Sequence, residues 1–203
     1  MQVEPTIHSF SLIHHFAHKP GFDCVEYADL AASLGFRGIS LSLNNPNYRH
    51  LGGREGWRID RLRDHLAGLG FSLEIDTSGT TPAHMEEMLR VAARLGARSL
   101  RTYTRHGGTV PQMMEATTRD LAAVVSLAAD LGVVIVLENH EDFTGPELAR
   151  IVETVDHPNL KVLYDYGNSQ MVLEDPEVAL DAVLPHVHSV HFKDHVMVRP
   201  DHA

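Results

Sequence analysis

Three polar residues close three apolar, strand-like runs at a nearly even interval: Glu138 after VVIVL, Asp165 after LKVLY and His191 after HVHSV. The steps from 138 to 165 and from 165 to 191 are 27 and 26 residues, about the length of one strand–helix unit. In a parallel barrel such a rhythm carries successive strand ends to one rim, where catalytic groups gather. Two carboxylates and an imidazole there make an oxygen–oxygen–nitrogen donor set. It suits Mn²⁺, Mg²⁺, Co²⁺ or Zn²⁺ rather than a thiolate-seeking ion. Singly, each residue has a plainer role: Glu138 can cap a helix or pair with an arginine, and Asp165 can close an Asx turn. Their coincidence at three consecutive strand ends is what points to a metal centre.

The elements that must position them follow from hydrophobic periodicity, which switches repeatedly between short apolar runs and longer amphipathic stretches. Strands are expected over Thr6–Ile13, Arg37–Leu43, Phe71–Asp76, Arg98–Thr104, Val133–Leu137, Asn159–Tyr164 and Val187–Phe192. Helices are expected over Cys24–Leu34, Ile59–Leu69, from Thr81-Pro82 to Gly96, over Gln112–Leu131, from Gly145-Pro146 to about Val155, and from Asp175-Pro176 onward. The phrases LAASLGFRGI, HLAGLGFSLEI, VAARLGARSL and LAADLGVVIVL repeat one local sentence: helix, Leu-Gly stop, strand. Seven strands and six helices fit one domain spanning 1–203. The tail VMVRPDHA is too short for a further helix and strand, so the expected fold is an α/β barrel of the (βα)8 type with the eighth unit absent.

Alternation within strands assigns faces. Val134 and Val136 share a face with Glu138, and Leu163 shares one with Asp165. His191 shares parity with Ser189 and Lys193, while His186 and His188 fall on the opposite face; His191 lies nearest the strand end, so it is the better ligand. Glu74 and Asp76 share a face at the end of strand 3, where Glu74 is a candidate substrate contact, and Arg101 and Tyr103 share one on strand 4. Arg101 can neutralise an anionic substrate group or pair with Glu138 or Glu74. His140, two residues past Glu138, can touch substrate or bond its own loop.

Composition narrows the classes. The chain has 203 residues, 43% hydrophobic and 22% charged, enough for a substantial core but short of the roughly 250 residues of a typical complete barrel. A formal net charge of −10 disfavours nucleic acid as a partner. The lone Cys24 excludes an internal disulfide framework and fits a reducing compartment. No leader pattern or long apolar run appears, so a cytoplasmic protein with no membrane partner is the expectation.

The segments LENHEDFTG, LYDYGN and HSVHFKD resemble the xylose-isomerase-like TIM-barrel superfamily of sugar-phosphate isomerases and epimerases, and the βα rhythm extends the resemblance over nearly the whole chain. In epimerase-type members a Glu, an Asp, a His and a final Glu bind one divalent metal, for which Mn²⁺ is expected here. By motif the first three are Glu138, Asp165 and His191. The resemblance implies that Glu138 also moves a proton beside a substrate carbonyl, through an enediolate. Lys193 matches the Lys of the family's H-x-K-D phrase and is expected to contact a hydroxyl or phosphate. Two departures stand out. The final Glu belongs on an eighth strand, and Asn168 occupies a position where many relatives carry His; it can bond substrate but not serve as a base.

The expectation is therefore a metal-dependent isomerase or epimerase of a small sugar or sugar phosphate. An inosose-type dehydratase would use the same enolate chemistry. A truncated or degenerate barrel that binds metal or sugar without turnover is the non-enzyme alternative. A type-IV apurinic endonuclease shares the fold but needs more His and Asp ligands, and the acidic charge opposes it. An open barrel would leave the edges of its first and seventh strands unpaired, edges that a homodimer would cover.

Overall fold

A computed structural model of the protein describes residues 4–193. Seven strands form one sheet in sequence order: β1 (Thr6–His8), β2 (Gly38–Ser42), β3 (Ser72–Asp76), β4 (Ser99–Thr102), β5 (Val134–Glu138), β6 (Leu160–Asp165) and β7 (Val187–His191). Every neighbouring pair is parallel, which requires a crossover after each strand. The helices supply it: α1 (Ile13–His18), α2 (Cys24–Ser33), α3 (Gly56–Leu69), α4 (Pro82–Leu95), α5 (Val110–Asp130), α6 (Gly145–Val155) and α7 (Pro176–Val183). The result is a curled half-barrel, an incomplete (βα)8 fold with no eighth strand among the described residues. The segment 196–203, read above as too short for another unit, lies outside those residues.

The core lies between the sheet and its helices. Leu62 and Leu66 of α3, Leu89 and Ala92 of α4, Leu121 and Val124 of α5 and Ile151 of α6 are buried against the outward side chains of the strands. Burying each large aliphatic side chain is worth about 1.5–3 kcal/mol. The helices are held in register by their caps. Asp23 accepts the Val25 and Glu26 N–H groups, Thr144 and Glu147 form a reciprocal capping box on α6, and Gly70 and Gly96 end α3 and α4 in left-handed geometry. No helix among the described residues is long and apolar enough to cross a membrane.

Burial tracks position in the sheet. β2 is buried throughout, whereas β1 and β7, at the two ends of the strand order, contain no fully buried residue. The open edges face each other across the gap, and the His8 ring meets the His191 ring edge-on at 5.6 Å.

The first strand is shorter than its apolar pattern predicts. It stops at His8, a 3-10 turn follows over Ser9–Leu12, and α1 adds a helix that periodicity did not register. The reason is local hydrogen bonding, which competes with extended backbone. His8 Nδ1 accepts the Phe10 N–H at 3.1 Å. The buried Ser9 hydroxyl accepts the Ser42 N–H at 3.0 Å and lies 2.7 Å from His50 Nδ1. At the other end of the fold, Glu138 and Asp165 are the last residues of β5 and β6, one position inside the strands rather than just beyond them.

Candidate metal centre

The alternation deduced from sequence holds at the barrel interior. Glu74, Asp76, Arg101, Glu138, Asp165 and His191 all line one cavity of about 1820 Å³ inside the curled sheet. His188, on the opposite parity to His191, is exposed.

Glu138, Asp165 and His191 come together. Each offers one ligand atom, and the three atoms lie within 4.8 Å of one another. His191 Nδ1 stands 3.8 Å from Glu138 Oε1 and 3.7 Å from Asp165 Oδ2. Those separations are too long for direct hydrogen bonds and match the roughly 3–4 Å kept by two ligands about 2.0–2.2 Å from a shared ion. The other imidazole nitrogen, Nε2, faces Glu74 Oε1 at 3.8 Å and is buried without a hydrogen-bond partner. Glu74 is itself fixed by the hydroxyls of Ser99 at 3.0 Å, Ser189 at 3.2 Å and Ser40 at 3.4 Å. Glu74 thus stands on the far side of the imidazole from Glu138 and Asp165, 3.8 Å away and short of a direct hydrogen bond.

Electrostatics agree with an ion-seeking cluster. Burial alone would lower the His191 pKa, but the Asp165, Glu138 and Glu74 carboxylates outweigh it and push it up to about 11. Without a metal, the imidazolium is thus the cation these acids share. Burial pushes the Glu74 carboxyl up, yet His191 and the serine hydroxyls bring it below its ordinary value. Asp165 behaves likewise: burial is overcome by His191, the Gly167 N–H and Lys193.

The remaining residues singled out from sequence divide into two groups. Asn168 and Lys193 join the trio directly. Asn168 Nδ2 donates to Glu138 Oε1 at 3.2 Å, and Lys193 Nζ donates to Asn168 Oδ1 at 2.6 Å while standing 3.2 Å from Asp165 Oδ2. Arg101 is ion-paired with both Asp76 and Glu138, so its guanidinium serves the site's own carboxylates. His140 stacks on Tyr103, ring centroids 3.9 Å apart, at the mouth of the cavity. Two residues of this cluster carried no assigned role: Asp76, which bridges Arg101 and, at 3.5 Å, His8 Nε2, and His8 itself. Asp76 shared the parity of Glu74, which was the available signal. His8 could not be ranked, because its strand was expected to run five residues further.

Known proteins bear on this arrangement. The chain is 28% identical over 171 residues to the uncharacterised protein YihM of Escherichia coli (strain K12), covering 84% of this chain and 52% of that one. It is 27% identical over 143 residues to the 3-oxo-isoapionate decarboxylase of Pectobacterium atrosepticum, covering 70% and 52%. It therefore spans about half the length of these curated relatives. Among solved structures, D-psicose 3-epimerase from Clostridium cellulolyticum superposes with a TM-score of 0.75 at 16% identity, covering 93% of this chain and 72% of that one. The probable 3-DHS dehydratase AsbF of Bacillus anthracis does so with a TM-score of 0.75 at 19% identity, covering 95% and 73%. At those identities the likeness is one of fold. The family described as xylose isomerase-like TIM barrel matches residues 28–203, and the chain belongs to that family.

Proposed function

We propose that this chain carries the centre of a divalent-metal-dependent isomerase or epimerase, acting on a small sugar or sugar phosphate by proton transfer through an enediolate. The observation that carries the reading is the convergence of Glu138, Asp165 and His191 within 4.8 Å at three successive strand ends. Sugar epimerases among the similar folds support it. Mn²⁺ is the proposed ion, and Mg²⁺, Co²⁺ and Zn²⁺ suit the same donors.

When bound, the ion supplies Lewis acidity to a ketose carbonyl and its neighbouring hydroxyl. The chain's own residues do the rest. Asp165 and His191, together with Glu138, would hold the ion. Glu138, oriented by Asn168 and Arg101, takes the proton from the carbon beside the carbonyl, and the electron pair moves onto the carbonyl oxygen. Returning the proton to the other face or to the neighbouring carbon gives epimer or isomer. Lys193 stands where its ammonium can donate to a substrate oxygen.

A dehydratase or decarboxylase acting through the same enolate is the second reading, favoured by the decarboxylase among the sequence relatives.

The test is calorimetric titration of metal-stripped protein with Mn²⁺ beside an Asp165→Ala control. It is followed by NMR detection of solvent deuterium entering a ketose carbon, in wild type and Glu138→Gln. Stoichiometric Mn²⁺ binding lost in Asp165→Ala, with exchange lost in Glu138→Gln, is expected. Full exchange in Glu138→Gln, or undiminished Mn²⁺ binding in Asp165→Ala, would refute the site. No Mn²⁺ binding by folded protein would favour a barrel without turnover.

A further inference from the structure

We propose that Arg105, clamped on Tyr103 and flanked by His140, forms an anion subsite beside the metal centre, so that the substrate is a ketose bearing a carboxylate or phosphate. The inference rests on the metal-centre reading above and adds the substrate's charge.

Tyr103 is a buried ring with three cation-capable neighbours. His140 stacks on it at 3.9 Å and 13°, and the guanidinium carbons of Arg101 and Arg105 each lie 4.6 Å from its centroid. Arg101 is committed to Asp76 and Glu138. Arg105 is not committed: it donates to the Tyr103 hydroxyl, and no carboxylate among the described residues reaches it within ion-pair distance. Its remaining N–H donors are free for a ligand while the phenol ring limits where the guanidinium can go, which reduces the ordering cost of binding. His140 makes no hydrogen bond to the described residues through its ring nitrogens, and both side chains line the cavity that holds Glu138. Asp142 lies within electrostatic range of both, and the exposed Glu141 lines the rim.

Charge balance points the same way. Around the trio, Glu74, Asp76, Glu138 and Asp165 carry four negative charges. Arg101, Lys193 and a divalent ion would carry four positive ones, so the interior acids do not draw on Arg105, which has Asp142 within electrostatic range but no ion pair with it. In a chain of net charge −10, a guanidinium held at the mouth of the reactive cavity is placed to recognise an anion, and bidentate Arg contacts suit carboxylate and phosphate alike.

The experiment titrates Mn²⁺-loaded and metal-free protein with D-fructose, D-fructose 6-phosphate and 5-keto-D-gluconate, in wild type and Arg105→Gln. One anionic ketose is expected to bind roughly tenfold or more tighter than D-fructose, and which one wins distinguishes phosphate from carboxylate. Arg105→Gln, in an exposed loop, should erase that preference while leaving Mn²⁺ and D-fructose affinities unchanged. Equal binding of the three ketoses, no binding of any, or an undiminished preference in Arg105→Gln would overturn the subsite. Loss of Mn²⁺ binding in wild type would instead remove the metal-centre reading, and the metal-free titration would still report on Arg105.

Discussion

Replacing Arg101 by Met tests how far the barrel interior depends on one guanidinium. Arg101 is 8% exposed, and its partners Asp76 and Glu138 are 1% and 3% exposed, so solvent cannot take over its role. Met keeps much of the apolar stem but strands two buried carboxylates. Removing one member of a buried ion pair costs about 3–5 kcal/mol, a large share of the roughly 5–15 kcal/mol that holds a domain together. For a chain of this size, that is a fall in Tm of roughly 6–20 °C. The loss should depend on pH with a definite sign. In the wild type, burial raises the Asp76 carboxyl, but Arg101 and His8 bring it below its ordinary value, so its contribution is present at neutral pH and fades as pH falls through the carboxylate range. In Arg101→Met, burial of Asp76 acts with less opposition, its carboxyl protonates more readily, and that stranded charge disappears on acidification. The gap between wild type and variant is therefore widest near pH 8 and narrows toward pH 5. Urea denaturation of both proteins at the two pH values measures it. Adding Glu138→Gln to Arg101→Met should recover part of the loss by deleting one stranded charge. A deficit under about 1 kcal/mol at pH 8, or one that does not shrink at pH 5, would falsify the account.

Two further outcomes follow from other parts of the fold. His50, stacked on Phe16 at 4.4 Å, has its pKa lowered to about 4, first by burial and then by Arg49 and His8, with Asp76 opposing. Between about pH 6.5 and 4 the unfolded chain binds a proton that the folded chain refuses, so stability falls as pH drops through that window, by at most about 3 kcal/mol; denaturation midpoints of His50→Gln should lose that part of the slope, and an unchanged slope contradicts the assignment. Gly145, at the start of α6, packs on α7 so closely that an added Cβ would lie 2.5 Å from the Ala179 carbonyl oxygen; Gly145→Ala should cost about 1–3 kcal/mol, and a thermal midpoint equal to wild type would show that the two helices separate freely.

Much of the fold was legible in the chain because its signals are local. A parallel strand covered on both faces reads as a short apolar run, a crossover helix as a longer amphipathic one, and the Leu-Gly stops mark where each helix ends. Period-2 alternation grouped Glu74 with Asp76, and set His191 apart from His188; the structure shows that Glu74, Asp76, Glu138, Asp165 and His191 line the cavity. Where local hydrogen bonds overrode that pattern, at Ser9 and His8, the expected strand ran five residues too long and a short helix was missed.

The partnerships within the site were a different matter. Sequence offered Arg101 either a substrate anion or a carboxylate, and could not say what held the second nitrogen of His191. Those choices depend on which side chains meet across the inside of a curled sheet, between strands far apart in the chain: Arg101 with Glu138, Glu74 with His191, Asp76 with His8. The chain by itself determined which residues share a strand face and that three metal-binding types end successive strands, because these follow from spacing and parity. Only the tertiary structure decided which charges neutralise one another and which, like Arg105, meet no carboxylate at ion-pair distance among the described residues, because that depends on distance and burial rather than on order along the backbone.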